Sequence, residues 1–236
     1  MAELVLVLGD ASSGKTTSLV STPSLEIEGL PPNNTAILDV IGKGLPLKGW
    51  KSVYNKEKGN YAKIGTPEGI MSALDKIKTR KDIKYIVIDD YQYILSYKFM
   101  DYVESGKTSG NAVFEQYNKI LLSNKNLFDK AKSLREDQVC FIICHSEKVR
   151  AKDGFDVQEK MKSIGQATDK YLTPEGMVNI ILFAVSEMKE GKPHKYFLTQ
   201  TDGEKAARSP VGMFEDMKIK NDMGYVAKKI EEFYSG

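Results

Sequence analysis

Leu4-Val5-Leu6-Val7-Leu8-Gly9-Asp10-Ala11-Ser12-Ser13-Gly14-Lys15-Thr16 is the stretch whose reading decides the fold. Residues 9–16 match G-x-x-x-x-G-K-[ST], the Walker A phosphate loop, at every fixed position. The five apolar residues in front suit a strand buried on both faces. Behind the loop, Thr16-Thr17-Ser18-Leu19-Val20 is expected to carry the chain into a helix. Gly9 and Gly14 allow a tight turn whose backbone N–H groups point inward. Asp10, Ala11, Ser12, Ser13 and Thr17 complete the expected cradle, and a helix N-terminus would add partial positive charge. In this pattern Lys15 reaches the β- and γ-phosphates of a nucleotide such as ATP, and the Thr16 hydroxyl ligates Mg²⁺.

Further along, Ile86-Val87-Ile88-Asp89-Asp90 has the form of a Walker B strand, apolar residues delivering carboxylates to the strand's C-terminal end. Open α/β sheets bind ligands at that edge. Asp89 is expected to hold Mg²⁺, directly or through water, and Asp90 to orient or deprotonate the attacking water. Asp39, at the end of the apolar run Thr35-Ala36-Ile37-Leu38-Asp39-Val40-Ile41, is the competing base. No glutamate occupies either position. His145, after Val139-Cys140-Phe141-Ile142-Ile143-Cys144, stands where an extra strand beside Walker B presents a polar residue to the γ-phosphate. An imidazole can donate to a phosphate oxygen or to the water.

Between these motifs, apolar strand candidates alternate with helical patterns, as in a parallel sheet with helices on both faces. Strands are expected at residues 4–8, 35–41, 84–90, 139–144 and 178–185. A hairpin partner follows at 195–201, after the turn signal Glu190-Gly191-Lys192-Pro193. Thr66-Pro67-Glu68 reads as the capped start of a helix striped by Ile70, Leu74 and Ile77. Helical segments broken at 106–110 follow the third strand. A C-terminal amphipathic helix uses Val226, Ile230 and Phe233. Residues 42–61 read as irregular and 147–170 as a long loop. No repeat or linker divides the chain, so its 236 residues are expected to form one domain, 1–236.

The composition, 41% hydrophobic and 28% charged, supports a full core and a solvated surface. The longest apolar runs, such as 178–185, are too short to span a bilayer. Met1-Ala2-Glu3 lacks the basic start of a signal peptide, so a cytoplasmic protein without membrane partners is expected. Cys140 and Cys144, four residues apart on one strand, are too distant to bridge and read as buried thiols. A net charge of +2 gives no argument for nucleic acid. Two local segments could still meet a polyanion. One contains Lys98, Tyr102 and Lys107; the other contains Lys148, Arg150, Lys152, Phe155, Lys160 and Lys162. Basic residues with an interleaved aromatic suit single-stranded DNA, though intervening acids dilute the charge and a solvated loop would look alike.

Together these residues resemble the phage-encoded RecA-core ATPases of the single-strand-annealing and recombination group, over nearly the whole chain. The marks are residues 9–16, Ile41-Gly42-Lys43-Gly44-Leu45-Pro46, Val87-Ile88-Asp89-Asp90-Tyr91-Gln92-Tyr93, His145-Ser146-Glu147 and Phe197-Leu198-Thr199-Gln200-Thr201-Asp202-Gly203. The resemblance implies a RecA-like P-loop NTPase core with a mostly parallel sheet and a C-terminal antiparallel hairpin. It implies assembly into a homo-oligomeric ring or filament with ATP at subunit interfaces. Single-stranded DNA is the implied partner, and a phage single-strand-binding protein a further one. Lys205 or Arg208 would be positioned like the interface cations of such ATPases, where an Arg stabilises transition-state charge. Neither the separate N-terminal oligomerisation segment nor the C-terminal DNA-gathering domain of full-length recombinases is expected in these 236 residues, so annealing or a supporting motor role is expected rather than autonomous strand exchange. Two other readings stay open, a nucleotide-gated scaffold with negligible hydrolysis and a small-molecule or nucleoside kinase. The kinase reading has few arginines to work with: Arg80, Arg135, Arg150 and Arg208.

Overall fold

Alternation along the first strand sets the architecture. In the computed structural model, which describes residues 1–106, 111–150, 157–162 and 172–235, β1 spans Glu3–Leu8. Leu4, Leu6 and Leu8 enter one core cluster while Val5 and Val7 enter another. The strands β4 (Tyr85–Asp89) and β5 (Val139–Ile143) divide their side chains in the same way. A strand with apolar residues on both faces needs cover on both, which is why the flanking segments sort into two layers.

One layer contains α2 (Pro67–Thr79), α3 (Gln92–Glu104) and α4 (Asn111–Lys132). Thr66 caps α2 by accepting from Gly69 N at 3.2 Å, with Pro67 at the first helical position, as its sequence predicts. The other layer contains α5 (Met223–Tyr234), with the short α1 (Trp50–Val53) beside it. Asp222 caps α5, and Val226 and Ile230 are buried. Phe233, expected in the apolar stripe, is exposed instead, in the last turn of the helix.

The eight-stranded sheet runs β10-β9-β8-β1-β5-β4-β2-β3, where β2 is Thr35–Asp39, β3 Tyr61–Lys63, β8 Ile180–Lys189, β9 Lys192–Leu198 and β10 Lys218–Lys220. Pairings from β3 through β8 are parallel, and β8–β9 and β9–β10 are antiparallel. The fold is therefore α/β, with a mostly parallel central sheet, helices on both faces and a C-terminal antiparallel hairpin. Glu190 and Gly191, both at positive φ, make the two-residue hairpin turn. The strand β5 lies between the phosphate-loop strand and the Walker B strand, the extra-strand arrangement anticipated for His145.

Three expectations change. The helix expected behind the phosphate loop is a single 3₁₀ turn, Thr17–Leu19, and Val20 is already extended. The reason lies two residues further on, where Pro23 disfavours helical geometry at Thr22. Leu30 N then donates to Leu19 O at 2.9 Å, fixing the extended exit. Secondly, the irregular stretch 42–61 contains α1 and ends in the edge strand β3. Thirdly, the supposed long loop contains a two-stranded hairpin, β6 (Ser146–Arg150) and β7 (Val157–Met161), which pairs Lys148 with Glu159. The charged pattern there belongs to a ribbon exposed along residues 148–150, with Glu159 and Met161 of the partner strand buried. Lys107, Lys152 and Phe155 lie outside the described residues. Cys140 and Cys144 are free and fully buried, and burial pushes the Cys140 thiol up to about 12.

Candidate active site

Parallel register gathers the predicted residues at one edge. Asp39 pairs with Asp89, Ile88 with Ile142 and Val7 with Ile143, so β1, β2, β4 and β5 all finish at the same level. Just past those ends lie the phosphate loop, Asp90 and His145. They line a cavity of about 520 Å³ together with Lys43 and Lys195. That volume is in the range of small-molecule and cofactor sites.

Lys15 is buried and folds back over its own loop, with Nζ donating to Gly9 O and Asp10 O, both at 2.7 Å. Burial pulls its pKa below the ordinary lysine value, and the nearby carboxylates of Asp90 and Asp89 oppose that shift. Gly14 has φ +99°, and a Cβ there would lie 2.7 Å from Asn221 Oδ1 and 2.9 Å from Lys195 Cδ. A side chain at position 14 is thus excluded by conformation and by space. Because the loop runs into one 3₁₀ turn, the helix-dipole contribution expected from the sequence is absent. Positive charge in the cavity comes from Lys15, Lys43 and Lys195.

Thr16 Oγ1 donates to Asp89 Oδ2 at 2.9 Å, joining the two motifs across 73 residues of sequence. Asp89 is buried, and its other oxygen, Oδ1, meets no hydrogen-bond donor among the described residues. An orphaned carboxylate oxygen beside a threonine hydroxyl fits a hard divalent cation such as Mg²⁺, which takes oxygen ligands and keeps several waters. Burial, and then the neighbouring Asp90, push the Asp89 carboxyl well above the usual carboxylate range. A cation bound there would reverse that shift.

Asp90 is buried and pairs with Lys43, whose Nζ lies 2.6 Å from Asp90 Oδ2 and 3.4 Å from Asp89 Oδ2. His145 Nε2 is 3.9 Å from Asp90 Oδ1. Burial and the charge on Lys15 hold the imidazole below its ordinary pKa, so it is neutral at neutral pH. A neutral ring can both donate and accept.

Asp39 sits apart from this chemistry. Its Oδ1 accepts from Gly42 N at 2.7 Å, and its Oδ2 from Gly44 N at 2.8 Å and Tyr61 Oη at 2.6 Å. Both oxygens are occupied in holding the 42–44 turn.

Of the two candidate interface cations, Arg208 donates to Glu175 O and Val178 O within its own chain, below the start of β8. Lys205 instead lines a second cavity of about 350 Å³ with Asp10–Ser13 and Lys148, on the hairpin side of the loop. Its Nζ is 3.6 Å from the buried Glu159.

No known protein-family profile matches the sequence, and no curated protein matches it either. Among solved structures, the chain is similar to a KaiC-like protein of the hyperthermophilic archaeon Pyrococcus horikoshii. The likeness has 11% identity and a TM-score of 0.42, covering 86% of this chain and 82% of that one.

Lys43 and Lys195 were not anticipated as site residues. Lys43 belongs to a marked segment, between two glycines, but nothing in its spacing ties it to Asp90. Lys195 reaches the phosphate loop only because β8 and β9 fold back beside β1.

Proposed function

We propose that this chain binds MgATP and hydrolyses it, with Lys15 and the loop 9–17 holding the phosphates and Thr16 and Asp89 holding Mg²⁺. In this reading Asp90 manages the attacking water and His145 contacts the γ-phosphate. The observation that carries it is the Thr16–Asp89 hydrogen bond with Asp89 Oδ1 left unpartnered. Mg²⁺, when bound, would shield phosphate charge and polarise the terminal phosphoryl group. The chain's own part is orientation. The occupied oxygens of Asp39 leave Asp90, which lines the cavity with one oxygen paired to Lys43, as the carboxylate that can manage the water.

The wider role we propose is in phage DNA recombination or single-strand annealing, as a homo-oligomer whose nucleotide state sets its affinity for single-stranded DNA. The hairpin supports a route for such coupling. Ser146 N donates to Gly9 O at 3.3 Å, the same carbonyl that accepts Lys15 Nζ, and Lys162 N donates to His145 O at 2.8 Å. A hairpin tied at its base to the phosphate loop, with Lys148 and Arg150 exposed, can feel what the loop holds. At the subunit interface, Lys205, although paired with Glu159 and Asp202 of its own chain, lines the cavity beside the loop, which Arg208 does not. Among the described residues no helix is long and apolar enough to cross a membrane.

The scaffold alternative has one observation in its favour, the Lys43–Asp90 ion pair, which neutralises the carboxylate that hydrolysis needs. The kinase alternative loses support. Arg80, Arg135 and Arg208 are all bound to carbonyls of their own chain, Arg80 and Arg135 also to carboxylates.

The test is ATP turnover with and without Mg²⁺ and single-stranded DNA, across protein concentration. Turnover that needs Mg²⁺, rises with DNA and rises per subunit with concentration is expected, and Lys15→Ala should abolish it. Near wild-type turnover in Lys15→Ala would overturn the site. Charge reversal of Lys148 and Arg150 together should remove DNA binding and leave basal turnover; an unchanged salt dependence of binding would discard the hairpin as the DNA site.

A further inference from the structure

Lys43 is the cation that the Walker motifs do not account for, and its setting is built. Its neighbours Gly42 and Gly44 have φ of +80° and +77°. Both donate their backbone N–H to Asp39. A Cβ on Gly44 would meet the Trp50 ring at 2.6 Å, and Trp50 packs against Tyr61 with ring centroids 4.8 Å apart. Tyr61 in turn donates to Asp39. The turn is therefore closed from below by Asp39 and from the side by two rings, and its one long side chain is delivered over the ends of β4. A lysine held on so fixed a base can place its ammonium accurately while its stem still swings.

That ammonium lines the same cavity as the phosphate loop, at the end where Asp90 and His145 lie. Lys195 lies elsewhere on the cavity wall, against Gly14. Lys43 has two carboxylates within reach, at 2.6 and 3.4 Å, and its side chain is still about 38% exposed on the cavity side.

We propose that Lys43 reads the terminal phosphate of the nucleotide. In this proposal it exchanges the Asp90 carboxylate for a γ-phosphate oxygen, and that exchange frees Asp90 for the water. A nucleoside diphosphate carries no group at that end of the cavity, so it leaves the Lys43–Asp90 pair intact. Lys43 thereby selects triphosphate over diphosphate and restrains Asp90 until the triphosphate is in place. The inference rests on the nucleotide reading given above, and it adds a cation from the chain's own β2 turn to a charge otherwise expected from a neighbouring subunit.

The experiment is equilibrium binding of ATP and ADP, each with Mg²⁺, to the wild-type chain, Lys43→Met, Lys43→Arg and Lys15→Ala, with hydrolysis measured in parallel. Lys43→Met should weaken ATP binding by about tenfold, the worth of one charge-assisted hydrogen bond, and leave ADP binding within about twofold. Lys43→Arg should keep the preference for ATP. Lys15→Ala should weaken both nucleotides. An ATP-to-ADP preference in Lys43→Met equal to wild type overturns the proposal while leaving the site itself standing. Equal loss of both nucleotides in Lys43→Met also overturns it, by making Lys43 a general phosphate contact. If the wild-type chain binds neither nucleotide, the site reading falls, and the role of Lys43 falls with it. A melting temperature unchanged in Lys43→Met confirms that the comparison is between folded proteins.

Discussion

Asp39 and Asp89 stand side by side on paired strands, both 2% exposed, yet they are opposite kinds of carboxylate. Three donors converge on Asp39, and its charge is absorbed in shaping one turn. Asp89 has the Thr16 hydroxyl on Oδ2 with the Lys43 ammonium 3.4 Å from the same oxygen, a second acid as its sequence neighbour and an Oδ1 with no hydrogen-bond partner among the described residues. A buried carboxylate with its hydrogen bonds complete is a structural element, while one left incomplete next to a residue that lines a cavity, as Asp89 is next to Asp90, is a candidate for binding something that enters. Depth alone does not separate the two; the count of donors does.

The largest expected effect breaks the comparison at the level of chemistry. Asp90→Asn should retain ATP binding and lose hydrolysis by roughly two to four orders of magnitude, the usual worth of a general base. Asp39→Asn should stay within about tenfold of wild type in the same turnover assay. The reverse order would move the base to Asp39.

The second expectation concerns stability and runs the other way. Asp39→Ala strands the buried Gly44 N–H together with the more exposed Gly42 N–H and Tyr61 hydroxyl, and should cost roughly 1–3 kcal/mol in denaturant unfolding, the worth of the one buried unsatisfied group. Asp89→Ala strands the Thr16 hydroxyl while Lys43 keeps its closer partner Asp90, so it should cost clearly less. Equal losses would mean that donor count does not separate these two acids.

The smallest effect sharpens the comparison through pH. With its pKa raised in the folded protein, the Asp89 carboxyl binds a proton that the unfolded chain has already released. Its contribution to stability is therefore whole below about pH 4 and is lost as pH rises toward neutrality. Melting measured across that range in the absence of Mg²⁺ should show a decline that Asp89→Asn removes. A decline of the same size in Asp89→Asn would assign it to other groups.

How much of this was legible in advance follows from the range of each interaction. The core strands 4–8, 35–41, 84–90, 139–144 and 178–185 and the C-terminal hairpin could be read because each rests on a contiguous apolar run or a short fixed spacing. The capped start of α2 was legible for the same reason. The edge strand β3 was hidden because three residues carry no period. The β6–β7 hairpin was hidden because its buried positions include a serine and a glutamate, Ser146 and Glu159, so no apolar alternation marks its inner face. The helix behind the phosphate loop was expected wrongly although its veto, Pro23, was in plain sight. Lys43 and Lys195 come to the site through tertiary folding, and no local pattern announces them. Arg208 shows the converse: a guanidinium plausible for a neighbour's phosphate is occupied by two carbonyls of its own chain.

The single 3₁₀ turn after Thr16 has a consequence for how this site responds to its medium. Peptide dipoles packed behind a phosphate loop are fixed and shielded from ions. Ammonium groups at the rim, such as the partly exposed Lys43 and Lys195, sit where dissolved salt reaches them. At 0.1 M ionic strength the screening length is about 10 Å, comparable with the span of a triphosphate site. Nucleotide affinity here should therefore fall as potassium chloride is raised. Grip on the nucleotide then becomes a property shared between the chain and the ionic strength around it.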